Sequence, residues 1–135
     1  MKVGAFFFGG VEMDDVGAGL PNPMDRRYSN EAAWNATLNY INSAITADQL
    51  GFDSFWTTEH RFQYEGYEVI PNGIQISTWI AAQTTRIRLG SMFNVVPQWN
   101  LIRLAEDFST LHNLSGDAGS SASVAAPCPR GAPSH

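Results

Sequence analysis

The chain alternates three times between a short apolar run and a longer segment of helical period, and that alternation narrows the folds open to it. Val3, Ala5, Phe6, Phe7 and Phe8 form a nearly continuous apolar run, so Met1 to Phe8 reads as a strand buried on both faces. A long polar loop, Val11 to Ser29, follows. From Asn30 to Leu50 the period becomes helical, with Trp34, Leu38, Ile41 and Ile45 on one face and Gly51 as the stop. Phe52 to Thr57 is a second strand and Thr58 to Asn72 a polar loop. Ile74 to Gln83 is a second helix with Ile76 and Ile80 inward, and Arg86 to Asn94 a third strand containing Ile87 and Leu89. Asn100 is an N-cap for a third helix whose buried stripe is Leu101, Leu104, Ala105, Phe108 and Leu111.

Apolar strands joined by helices make a parallel sheet covered by its crossovers. A doubly wound sheet would want a glycine-rich phosphate turn after the first strand, and Gly9, Gly10, Val11, Glu12 and Met13 do not supply one. The better candidate is an eightfold βα barrel of about 250 residues, of which a chain this long can hold only three units. The expected class is therefore α/β: the N-terminal three βα units, residues 1–116, of a truncated (β/α)8 TIM-type barrel. Residues 117–135, mostly Ala, Ser, Gly and Pro with no aromatic, Leu or Ile, are expected to be a disordered low-complexity tail that supplies no fourth strand.

Composition removes several function classes. A net charge of −5 with eight scattered Lys and Arg gives no footprint for nucleic acid. One cysteine, Cys128, forms no internal disulfide, and no apolar run approaches the roughly 20 residues of a membrane helix. Val3 to Gly10 is too short and too poorly framed for a signal peptide. The expectation is a cytoplasmic protein with neither a nucleic-acid nor a membrane partner.

Two clusters could carry chemistry. Thr57, Thr58, Glu59, His60 and Arg61 stand where the second strand ends, the end that builds active sites in barrels. A carboxylate beside an imidazole suits acid or base work near neutral pH, although a lone Glu-His pair is more often structural. Glu59 and His60 could also be metal ligands, but His112 and His135 add no known ligand spacing, so no metal is expected. The second cluster runs from Leu89 to Pro97. Gly90 inside a strand pattern suggests close approach of another backbone or a ligand, against the plainer reading of a buried strand with a tight exit.

Together the stretches KVGAFFF, GFDSFWTTEHRF, GYEVIPN, TTRIRLGSMFNVVP and NLIRLAEDFSTLHNLSG resemble, in order and spacing, the luciferase-like monooxygenase family. The resemblance implies a barrel that binds reduced flavin (FMN) at the C-terminal ends of its strands and, with molecular oxygen, oxidises a small organic substrate. It implies that His60 lies near the reactive ring with Glu59 beside it, as catalytic residues. It also implies that Ser91, Met92, Phe93 and Asn94 pass behind the ring, with a strained or cis peptide between Met92 and Phe93. Many members carry a second histidine where this chain has Arg61. Family members pair through their second and third helices and draw electrons from a flavin reductase. A related branch uses a deazaflavin and transfers hydride, and a non-catalytic fragment is the other reading. Members continue after the third helix into a glycine-rich fourth strand. Ser120 to Pro127 can be encoded by a string that, in another frame, spells Glu-Phe-Gly-Val-Gly-Arg-Gly-Thr, so the tail is expected to be a frame error.

Overall fold

A computed structural model describes residues 1–13, 28–61, 67–115 and 123–124. In chain order the elements are β1 (Gly4–Phe6), α1 (Asn30–Gln49), β2 (Ser54–Thr57), α2 (Gly73–Ala81), β3 (Arg88–Ser91), a 3-10 turn (Val96–Gln98), α3 (Leu101–Ser115) and β4 (Ser123–Val124). The strands form one parallel sheet in sequence order. The alternation of strand and helix therefore builds consecutive βα units. The expected loop from Val11 to Ser29 and the tail fall mostly outside the described residues.

Each helix starts where a side chain can serve its orphan amides. Ser29 Oγ accepts from the Ala32 amide, Asn72 Oδ1 from Ile74 and Gln75, and Asn100 Oδ1 from Ile102 and Arg103. α1 stops at Gly51, whose φ of 84° is open to glycine at little cost. The chain then turns straight into β2.

The register puts Ala5, Phe55 and Leu89 side by side, all buried beneath the helices. Tyr40 of α1 meets Phe55 edge to face at 5.4 Å, and Ile80 and Ile87 complete the same cluster. A second cluster joins α2 to α3 through Ile74, Leu104 and Leu111. Asp48, near the end of α1, accepts hydrogen bonds from the amides of Thr85, Arg86 and Ile87 and from the Thr85 hydroxyl, at 2.8 to 3.3 Å. This one carboxylate ties α1 to the turn that starts β3.

Several expectations about burial are corrected. β1 is not covered on both faces: Val3, Phe6, Phe7 and Phe8 are exposed, because among the described residues β1 pairs only with β2 and no further strand or layer lies against the apolar run. On α1 the buried face is Tyr40, Ile41, Ala44, Ala47 and Asp48, while Trp34 stands in solvent. On α3, Leu104 and Leu111 are buried, but Leu101 and Ala105 are exposed. The expectation that the tail supplies no strand also fails, since Ser123 and Val124 pair with Gly90 and Ser91 in parallel. Backbone groups on the free edge of β3 can be met by any two extended residues, so the pairing needs no aromatic or large aliphatic side chain. The other tail residues lie outside the described ones.

Gly90 makes room for a side chain rather than for a backbone or ligand. A Cβ there would lie 2.5 Å from the Trp56 ring, and one on Gly4 would lie 3.0 Å from the Trp56 indole nitrogen. Trp56 thus lies across the helix-free face, over both neighbouring strands, with its Nε1 donating to Ser54 Oγ at 3.0 Å. Among the described residues no helix is long and apolar enough to cross a membrane.

Candidate active site

Parallel strands bring their C-terminal ends to one rim, and both clusters stand there. Met92 N donates to Thr57 O at 2.7 Å, and Thr57 Oγ1 donates to Gly90 O at 3.2 Å. The segment after β2 and the segment after β3 are therefore hydrogen-bonded neighbours. The N-terminus of α2 lies against them both, since a Cβ on Gly73 would be 3.1 Å from Thr57 Oγ1 and 3.5 Å from Ser91 Oγ.

Glu59 and His60 are adjacent in sequence but have different partners. Glu59 is buried, and its Oε1 accepts from Trp99 Nε1 at 3.0 Å and pairs with Arg61 at 2.8 Å. Arg61 is held in turn by Pro71 O, 3.0 Å from its Nε, and its guanidinium lies 4.7 Å from the centre of the Trp99 ring. Burial pushes the Glu59 carboxyl above its ordinary range, opposed by the Trp99 hydrogen bond and the Arg61 charge. His60 has a different carboxylate: its Nε2 is 3.2 Å from Glu68 Oε2, and its ring meets Phe8 at 6.3 Å between centres. The carboxylate on the imidazole is eight residues away in sequence, not next door.

The 91–94 segment is split in the same way. Strand geometry ends at Ser91, short of the expected Asn94. Ser91 Oγ donates to Asn94 Oδ1 at 2.8 Å and both side chains are buried, whereas Phe93 is exposed and Met92 half-buried. The Met92–Phe93 peptide is cis, which meets the expectation placed on that bond. Behind this rim, Tyr40 reaches up from α1 so that its hydroxyl accepts from the Thr58 amide at 3.3 Å. Burial above all holds the Tyr40 phenol well above its ordinary range.

Two buried polar atoms at this rim have no hydrogen-bond partner among the described residues: Glu59 Oε2 and Asn94 Nδ2. Buried polar atoms are rarely left so without a reason. Hollows of about 880 Å³ along α3, about 700 Å³ between α2 and α3 and about 650 Å³ between β1 and α1 lie elsewhere, and none of these is lined by those residues. Among the described residues no three His, Cys, Asp or Glu converge as metal ligands. Sequence reasoning passed over Glu68 and Trp99. The only signal for Glu68 was an acid between aromatic and apolar residues in GYEVIPN, and Trp99 had none.

Comparison with known proteins gives a concordant result. Residues 1–117 match the family model described as luciferase-like monooxygenase. The uncharacterized protein YwcH of Bacillus subtilis (strain 168) is 35% identical over 72 residues, which make up 53% of this chain and 21% of that protein. The uncharacterized protein y4vJ of Sinorhizobium fredii is 30% identical over 79 residues, 58% of this chain and 22% of that one. In structure, apo-MsnO8 superposes with a TM-score of 0.67 at 25% identity, over 91% of this chain and 31% of its own. The oxygenating constituent of 3,6-diketocamphane monooxygenase from Pseudomonas putida, a type II Baeyer-Villiger monooxygenase solved with FMN, gives 0.65 at 23% identity, over 95% of this chain and 30% of its own. The chain thus spans about a fifth of the length of these curated relatives and about a third of these solved structures.

Proposed function

We propose a function from one premise: the chain belongs to the luciferase-like monooxygenase family. It supplies the first βα units of a flavin-dependent monooxygenase barrel, with His60 at the catalytic rim. The observation that carries this is the placing of His60 and the 91–94 segment on neighbouring strand ends, joined through Met92 N and Thr57 O.

The rim suits a flavin. Glu59 Oε2 and Asn94 Nδ2 offer a carboxylate oxygen and an amide donor at one edge of the sheet, each buried and without a partner among the described residues. Met92 and the exposed Phe93 present apolar surface of the kind a planar ring rests on. Ser91 and Asn94 act from behind, by holding the turn. A reduced flavin bound here would supply the electrons for inserting one atom of molecular oxygen into a small organic substrate. FMN is favoured among flavins by the fold likeness to a protein solved with it.

Within that reaction His60 holds or moves a proton, and Glu59, tied to Arg61 and Trp99, positions the loop that carries it. The electrons come from a separate flavin reductase. The full-length protein pairs with a second copy across α2 and α3, where Trp79, Leu101 and Ile102 stand exposed.

The test uses a protein in which the frame is restored after Gly116. It should retain reduced FMN and consume oxygen in the presence of substrate, and His60→Ala should lower turnover by about 10² to 10⁴, the range of general acid–base catalysis. Oxygen uptake unchanged by His60→Ala would refute the assignment. Hydride transfer with a deazaflavin and no oxygen uptake would move the chain to the related branch.

A further inference from the structure

Glu68 carries an ionisable group that none of the assigned steps uses. Its side chain is fully buried, and its Oε2 is 3.2 Å from His60 Nε2 on a side chain about a third exposed. A carboxylate is costly to bury unless a donor meets it. The placement is fixed by backbone. Gly10 and Glu68 form an antiparallel bridge, Val11 N donates to Tyr67 O and Val69 N to Gly9 O, both at 2.7 Å, and His60 N donates to Ile70 O at 3.1 Å. A side chain on Gly9 would overlap Ile70, so the close approach that closes this bridge depends on glycine. The loop after β1, the loop after β2 and His60 are in this way laced into one unit, with the carboxylate at its centre.

The geometry points to Glu68 as the positioning residue of His60: the carboxylate, 3.2 Å from Nε2, draws the ring proton to that nitrogen, and Nδ1 is then the basic one. An ionised carboxylate has no proton to give, so its charge favours the N–H on the nearer nitrogen, and this contact chooses between the two neutral tautomers. Histidines that do chemistry are commonly oriented by such a second partner. This inference deepens the proposed reading of His60 as a site residue and rests on it for its functional meaning.

Proton-detected nitrogen-15 spectra of the chain, without flavin and at pH about 8, where an ordinary imidazole is neutral, test it. His60→Asn assigns the signal. The expected result is a proton on Nε2 of His60, resolved from water and exchanging slowly. Glu68→Leu should abolish that resonance, and Glu68→Gln, which retains a neutral acceptor, should speed its exchange by about tenfold. The amide spectrum serves as the check that each variant is folded. A proton on Nδ1 in the unaltered chain overturns the proposal even if no variant folds, and so does an Nε2 signal indifferent to Glu68→Leu in a folded chain. Because no flavin is present, a failure here is distinct from a failure to bind FMN.

Discussion

Asp48 should be worth more to this fold than any charged pair on its surface, and the structure allows the size to be worked out. Its Oδ1 accepts from the Arg86 and Ile87 amides and its Oδ2 from the Thr85 amide and hydroxyl. Hydrogen bonds to a charged group contribute about 1.5 to 3 kcal/mol each, and less when they share an acceptor. Asp48→Asn keeps an oxygen for one pair but turns an NH2 toward donors on the other side, so about 2 kcal/mol should be lost. Asp48→Ala leaves the buried Ile87 amide unmet and should cost about 3 to 4 kcal/mol. An open sheet has little stability in reserve, so the alanine variant is expected to be largely unfolded and the asparagine variant is the one to measure. In urea, at about 1 to 1.5 kcal/mol per molar, the midpoint should fall by about 1.5 M at pH 7. Burial alone would raise the Asp48 carboxyl, but the amides of Thr85, Ile87 and Arg86 outweigh it and hold the group below its ordinary 3.8. A lowered folded value means stability that is present above the unfolded value and lost as pH falls through the folded one. The gap between the two proteins should therefore close in acid. An equal midpoint at pH 7, or a gap that does not narrow below pH about 4, would refute the reasoning.

Other outcomes follow from the same contacts. Gly90→Ala drives a methyl into the Trp56 ring and should destabilise by about 1 to 3 kcal/mol, with most of that recovered in a double variant with Trp56→Ala; additive losses in the cycle would contradict the packing. Glu59 has a raised carboxyl value, so its charge works against folding as pH rises through that value. Glu59→Gln, which still accepts from Trp99, should then match or exceed the parent in stability at pH 7, and a loss above about 1 kcal/mol would show that the Arg61 pair dominates. We propose that residues 117–135 are read out of frame. The coding DNA should contain a frame that continues the barrel after Gly116, and the absence of any such frame would end the idea.

The order and type of the elements were legible because strands and helices announce themselves by period and caps. Asn100, as expected, and Gly51 stand where their chemistry places them. Burial was less legible for Val3 and Phe6 to Phe8, since an apolar run encodes the surroundings of a whole barrel and this chain spans about a third of one in the structures it resembles. The candidate site was located but not wired. Glu59 and His60 were marked as neighbours, yet their working partners are Trp99 and Glu68, brought in by loops whose paths no periodicity records. Asp48 went unnoticed for the same reason, its donors lying 37 to 39 residues further on.

If the rim at the ends of β2 and β3 is a flavin site, it should be detectable even in this chain. We propose that the donors for the flavin phosphate lie on later units of the full-length protein. Each missing charge-assisted bond costs about one to two powers of ten in affinity, so binding should be weaker than micromolar and turnover absent. Amide spectra of the labelled chain, titrated with FMN into the millimolar range, should show shifts concentrated at residues 57–61 and 91–94. Shifts confined to the groove between α2 and α3, or none in a folded chain, would contradict the assignment.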